Sequence, residues 1–268
     1  MPKLDTRGII AAAQLGAYFP IAALSLFLVI RYALRRDAGW LFTFIFSSIR
    51  LAGGALIVAG ELVKKPSPDL FVAAYILFHA GLALLMLSTI GFLGLAGQHT
   101  YSEYHHTTRL FRIVAFFIFI AMGLAIAGGI LGTHIAPAQG HIGDILRKTA
   151  SALYAAMYVV LVVIHLRCFG DRYELRHYRR NLLYGAMLAL PVLGARVAYE
   201  VLAAWASSDL FGLDSSSNPT LAMFQPVTGK WLLYVVLGVV CEFVVVALYM
   251  LSSTVLGRRR SSRGIADL

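Results

Sequence analysis

Long apolar runs alternate with short polar, basic intervals along the whole chain, and the length of the runs sets the structural class. About 20 apolar residues are enough for a helix to cross a bilayer. Seven such runs occur, at about Gly8–Leu34, Gly39–Val63, Asp69–Gly97, Arg109–Gly132, Leu146–Cys168, Asn181–Ser207 and Gly229–Leu256. They fill most of the 268 residues and leave no room for a soluble domain. The pattern predicts an all-α polytopic membrane protein with one transmembrane domain over residues 1–257 and a basic tail over 258–268. Most intervals are short, as antiparallel neighbours in a helical bundle require, and no internal repeat is visible. Two are longer, Gln98–Thr108 and Ser207–Pro226. The second contains Leu210, Phe211, Leu213, Leu221, Met223 and Phe224, enough apolar surface to lie on the membrane or cap a cavity.

Composition agrees with this pattern. Apolar residues make up 59% and charged residues 13%, against about 25% charged in soluble domains. The formal charge of +10 raises the question of nucleic acid. The basic residues, however, sit at the ends of the apolar runs rather than on one polar face, which is how membrane topology is written. The first, third and fifth intervals and the tail carry fourteen of them, the opposite side seven, so the N-terminus is expected outside or in the lumen and the C-terminus in the cytosol. The tail arginines, Arg258 to Arg260 and Arg263, suit anionic headgroups. The first run is too long for a cleavable signal, and Arg35-Arg36-Asp37 follows it, so it reads as a signal anchor. Cys168 and Cys241 read as free thiols. His99, Glu103, His105 and His106 read as a solvated loop, and neither a metal nor a cofactor is expected.

The candidate chemistry lies inside the spans, where ionisable groups are costly and usually face a cavity or a partner. Arg50, His79 and Glu242 fall near the middle of their runs, Arg196 in the outer half, and Glu61 and Glu200 nearer the outer interface. Helical spacing gathers them into faces: Arg50, Gly54, Ile57 and Glu61; Tyr75, His79, Leu82 and Met86; Tyr154, Tyr158, Leu161 and His165; Trp231, Gly238, Glu242 and Tyr249. Arg196 and Glu200, one turn apart, neutralise each other. Two arginines paired with two of the three carboxyl groups leave one over. In an apolar pocket that group is a neutral acid able to donate a proton, whereas at the interface it stays ionised.

The elements Gly39-Trp40, IRLAGG at Ile49–Gly54, HAGLALLMLSTIGFLGL in the third run, PVLGARVAYEVL, FQPVTG and CEFVVVALY resemble a large fungal family of seven-helix integral membrane proteins of mostly unknown function. The resemblance covers nearly the whole chain and implies the fold. It places Arg50, Arg196, Tyr199 and Glu242 at matching positions, whereas Glu200 stands where a small residue is more usual. In size, helix count and the logic of a buried acid, the chain also resembles fungal transmembrane meroterpenoid cyclases. That resemblance implies protonation of a terminal epoxide on a prenyl chain in a dry, aromatic cavity. On this reading Glu200, Glu242 or Glu61 is the acid, and Arg50 and Arg196 hold the other carboxylates. His79, Tyr75, Tyr158, Tyr199, Trp231 and Tyr249 complete the pocket for a hydrophobic prenylated substrate in the endoplasmic reticulum membrane. The alternatives are a transporter or lipid exporter gated by Arg–Glu pairs, and a seven-helix sensor. The sensor reading lacks an acidic-Arg-aromatic triplet after the third run and an Asn-Pro-x-x-Tyr signal in the seventh.

Overall fold

The computed structural model describes residues 5–32, 38–63, 68–97, 105–133, 137–170, 173, 177–207 and 218–263. All regular elements among them are helical: α1 (Thr6–Tyr32), α2 (Ala38–Leu62), α3 (Pro68–Gly97), α4 (His105–Leu131), α5 (Pro137–Gly170), α6 (His177–Ala206) and a short α7 (Pro219–Ala222). The last span is composite: α8 (Trp231–Leu233) runs into a π-helical segment (Tyr234–Val240) and then α9 (Cys241–Arg263). Seven spans, Thr6–Arg31 through Trp231–Ser252, are long and apolar enough to cross a membrane.

The apolar runs and the helices agree closely, with informative differences at the ends. α5 opens at Pro137, well before Leu146. Proline suits the first helical position, and an i,i+4 pair between Lys148 and Asp144 at 2.7 Å supports the polar turn that precedes the apolar run. α4 takes in His105–Thr108, so the loop expected at Gln98–Thr108 is shorter. Residues 98–104 and most of the other long interval, 208–217, lie outside the described residues. α9 carries the chain on to Arg263, into the segment expected as a tail.

Consecutive helices are antiparallel neighbours, and α3 lies at the centre against α2, α4 and α6. Its span is 61% buried within the protein, against 28 to 50% for the others. In lipid, helices gain little by hiding apolar surface, so close approach of small residues does much of the packing. A Cβ at Gly91 of α3 would stand 2.5 Å from the Gly39 Cα of α2. Beside this crossing Trp40 meets Phe92 edge to face at 4.9 Å. Gly54 lies against Leu15 and the Ala11 carbonyl of α1. α9 packs on α6, and Tyr18 of α1 meets Phe243 of α9 at 6.2 Å. The outward face is apolar, with Phe19, Ile113, Phe116, Val159 and Leu188 exposed to the surroundings. At the end of the bundle that carries Thr6, Lys148 sits 5.3 Å over the exposed Trp205 ring, an arrangement suited to a membrane interface.

Candidate functional site: a buried ion network beneath a cleft

Four spans each send an ionisable side chain to one place. α2 supplies Arg50, α3 supplies His79, α6 supplies Arg196 and Glu200, and α9 supplies Glu242. Arg50 Nη2 donates to Glu242 Oε1 and, at 3.1 Å, to the Phe78 carbonyl. Arg196 Nε donates to the same Glu242 oxygen at 2.7 Å, and its Nη1 donates to Glu200 Oε2 at 2.8 Å. The other oxygen of Glu200 shares a hydrogen bond with His79 Nδ1. The result is a continuous chain, Arg50–Glu242–Arg196–Glu200–His79.

Burial makes the charge balance decisive. Arg196 and Glu242 are fully buried, and Arg50 and Glu200 nearly so. In such surroundings an unpaired charge is very costly. Two guanidiniums and two carboxylates sum to zero without a proton on His79. Histidine is also the side chain of this set whose two ring nitrogens can accept one proton and donate another. The cations have a further partner in the Phe78 ring, whose centroid lies 4.6 Å from the Arg50 guanidinium carbon and 4.7 Å from that of Arg196. Gly81, one turn on from Leu77 in α3, leaves room for Arg50, since a Cβ there would stand 2.7 Å from Nη2.

The His79–Glu200 end of this chain forms the floor of a narrow cleft. Its walls are Tyr75 and His79 of α3, Ala125 of α4, Arg147, Ala150 and Tyr154 of α5, Ala203 and Ala204 of α6, and Ser207 just past its end. Gln225 and Pro226 close its rim. Arg7 of α1 holds that rim, because its guanidinium donates to the Pro226 carbonyl, to the Gly229 carbonyl at 3.4 Å and to the Tyr75 hydroxyl at 3.5 Å. The Tyr154 hydroxyl is buried in the cleft wall with no hydrogen-bond partner among the described residues.

The structure distributes the sequence candidates unevenly. Arg50, His79, Arg196, Glu200 and Glu242 come together, and Tyr75 joins His79 in the cleft wall. Glu61 lies apart, at the end of α2, where it accepts the Asp5 backbone N–H at 3.0 Å. It is the carboxyl group left over from the network. Tyr158 donates to the Leu190 carbonyl at 3.0 Å, on the turn of α6 that contains Pro191. Tyr249 shares a 2.6 Å hydrogen bond with Thr89, deeper in the core. Tyr199 is buried with Phe78 and Tyr234, and Trp231 is 52% exposed. Sequence reasoning missed Phe78 and Arg7. Phe78 sits next to His79, and its role depends on the two arginines meeting there. Arg7 reads from the sequence only as topological charge.

The fold and the network together define a seven-span, all-helical membrane protein with a charge-balanced core beneath a polar-floored cleft. Within that class, the chain belongs to the family described as Domain of unknown function (DUF7702), which matches residues 4–259. No curated protein matches the chain, and no solved structure does.

Proposed function

We propose that this protein is an integral membrane enzyme that uses the His79–Glu200 pair as its acid and base to close an epoxidised prenyl chain. The observation that supports this most is the placing of the hydrogen-bonded His79–Glu200 pair at the floor of the cleft, with Arg196 fixing the far oxygen of Glu200. The pair takes up one proton and gives it to the epoxide oxygen. The C–O bond breaks, and the neighbouring alkene captures the carbocation as the ring closes. A proton lost from the final cation returns to the pair, so the product is an isomer of the substrate and nothing is consumed. Ala125, Ala150, Ala203 and Ala204 offer a smooth wall to an isoprenoid chain, and the rings of Tyr75 and Tyr154 face developing positive charge. Phe78 is unsuited to that task because two guanidiniums already occupy its surroundings. Glu242, held by both arginines, positions Arg196 rather than donating a proton.

The finer assignments belong to the same proposal: a meroterpenoid-type substrate, a fungal pathway, residence in the endoplasmic reticulum and a lumenal N-terminus. The basic-residue asymmetry of fourteen against seven favours that orientation. A proton-coupled exporter is the second reading, favoured by one observation: the network ties together four spans that would have to move relative to one another.

The decisive experiment incubates microsomes containing the protein with prenyl-aryl epoxides and follows the products by mass spectrometry. A cyclised product of unchanged mass is expected. His79→Gln and Glu200→Gln should each lower its rate by about 10²–10⁴-fold, the usual contribution of a general acid. Survival of every epoxide with the unaltered protein, or full turnover by His79→Gln, would overturn the assignment.

A further inference from the structure

A second, smaller cleft lies on the other side of Tyr75, between α1, α2, α3 and the last span. Its lining includes Gln14, Arg50, Gly53, Tyr75, Phe78 and Tyr234. Arg50 is 3% exposed, and its Nε has no hydrogen-bond partner among the described residues. Gln14, also buried, makes none of the hydrogen bonds resolved among the described residues. A buried guanidinium N–H, a buried amide and the Tyr234 phenol therefore line one space. Among them the Arg50 Nε is a buried donor without a partner among the described residues, and because buried donors are normally satisfied, the chamber is arranged to meet a polar ligand.

The charge balance selects which polar ligand. Arg50 already has its counter-charge in Glu242, so an anion in the chamber would add an uncompensated negative charge to a neutral network. A neutral oxygen acceptor adds none. We propose that the chamber is a binding site for the hydroxyl or carbonyl group of a neutral lipophile, which accepts from Arg50 Nε and exchanges hydrogen bonds with Gln14. The site is distinct from the His79 cleft and does not depend on the reaction assigned to it. Gly53 is suited to this chamber: a Cβ there would meet its nearest atoms, the Ala74 carbonyl oxygen and the Leu77 Cβ, only at 3.8 and 3.9 Å. Alanine therefore fits at that position without strain.

The test uses the purified protein in phosphatidylcholine vesicles and a long-chain alcohol carrying a diazirine, alongside the same diazirine on a plain hydrocarbon. After illumination, labelled peptides are mapped by mass spectrometry. The alcohol should label the segments of α1 and α2 around Gln14 and Gly53, and the hydrocarbon should not. Gln14→Leu should reduce this labelling about ten-fold, the scale of one buried hydrogen bond, with an unchanged melting midpoint. Gly53→Val, which narrows the chamber, should reduce it as well. Competition by a sterol already in the vesicle would identify a bilayer lipid as the natural source. Competition only by a phenol added from solution would identify a soluble metabolite. Equal labelling by both probes, or labelling indifferent to both substitutions, overturns the site. His79→Gln should leave labelling intact, so failure of the cyclisation reading is separable from failure of this one.

Discussion

At the scale of single residues, Glu242 does what a count of charges does not reveal. Arg196 and Glu200 are legible as partners from their i,i+4 spacing, and they do pair. Matching each arginine to one carboxylate, however, assumes that a carboxylate serves a single cation, although it has about four acceptor positions. Glu242 serves both arginines through one oxygen, and Glu61 is consequently left at the edge. The two carboxylates should therefore respond very differently to neutralisation. Glu242→Gln leaves two buried guanidiniums sharing one carboxylate and should cost about 3–5 kcal/mol. Glu61→Gln removes an edge acceptor and should cost no more than about 1 kcal/mol. Unfolding in detergent, followed by circular dichroism against temperature and denaturant, measures both. Equal losses would mean that the network is not the core of the fold.

At the scale of elements, the last span departs from what spacing alone indicates. Grouping Trp231, Gly238, Glu242 and Tyr249 on one face assumes about 100° per residue throughout, as in an α-helix. The π segment Tyr234–Val240 intervenes, and a π turn holds an extra residue, so positions before it rotate relative to those after it. Gly238, Glu242 and Tyr249 remain buried, while Trp231 turns outward. No sequence signal marks a π turn, because it differs from an α turn only in which carbonyl each N–H reaches. Its value here lies in packing: it seats Gly238 so that a Cβ would come within 3.1 Å of the Phe78 ring. Deleting Val236, which faces outward, should restore an α register and swing Trp231 by about 100°. With the two native cysteines replaced by serine, a Trp231→Cys variant should react readily with maleimide in the parent and slowly in the deletion. Unchanged reactivity would mean that the register does not depend on the extra residue.

At the scale of the whole molecule, the seven spans were the most legible feature, because continuous apolar length is a property of the sequence itself and needs no knowledge of neighbours. The central position of α3 was less so. Its run is apolar on every side, a pattern shared by a helix surrounded by lipid and one surrounded by protein, and only the partners on α2, α4 and α6 decide between them. Orientation is a prediction at this scale. A glycosylation acceptor placed ahead of Thr6 should be modified if that end of the bundle, with the cleft mouth, faces the lumen; an acceptor modified only when placed after Arg263 would reverse the assignment. The network also bears on how the chain is made. Arg50 and Glu242 are 192 positions apart, so at about 5–20 residues per second the ribosome needs about 10–40 s to deliver the second after the first. For that interval Arg50 lacks the carboxylate that it pairs with in the folded chain. A chain that stops short of the final helix therefore carries Arg50 and Arg196 without the carboxylate that joins them.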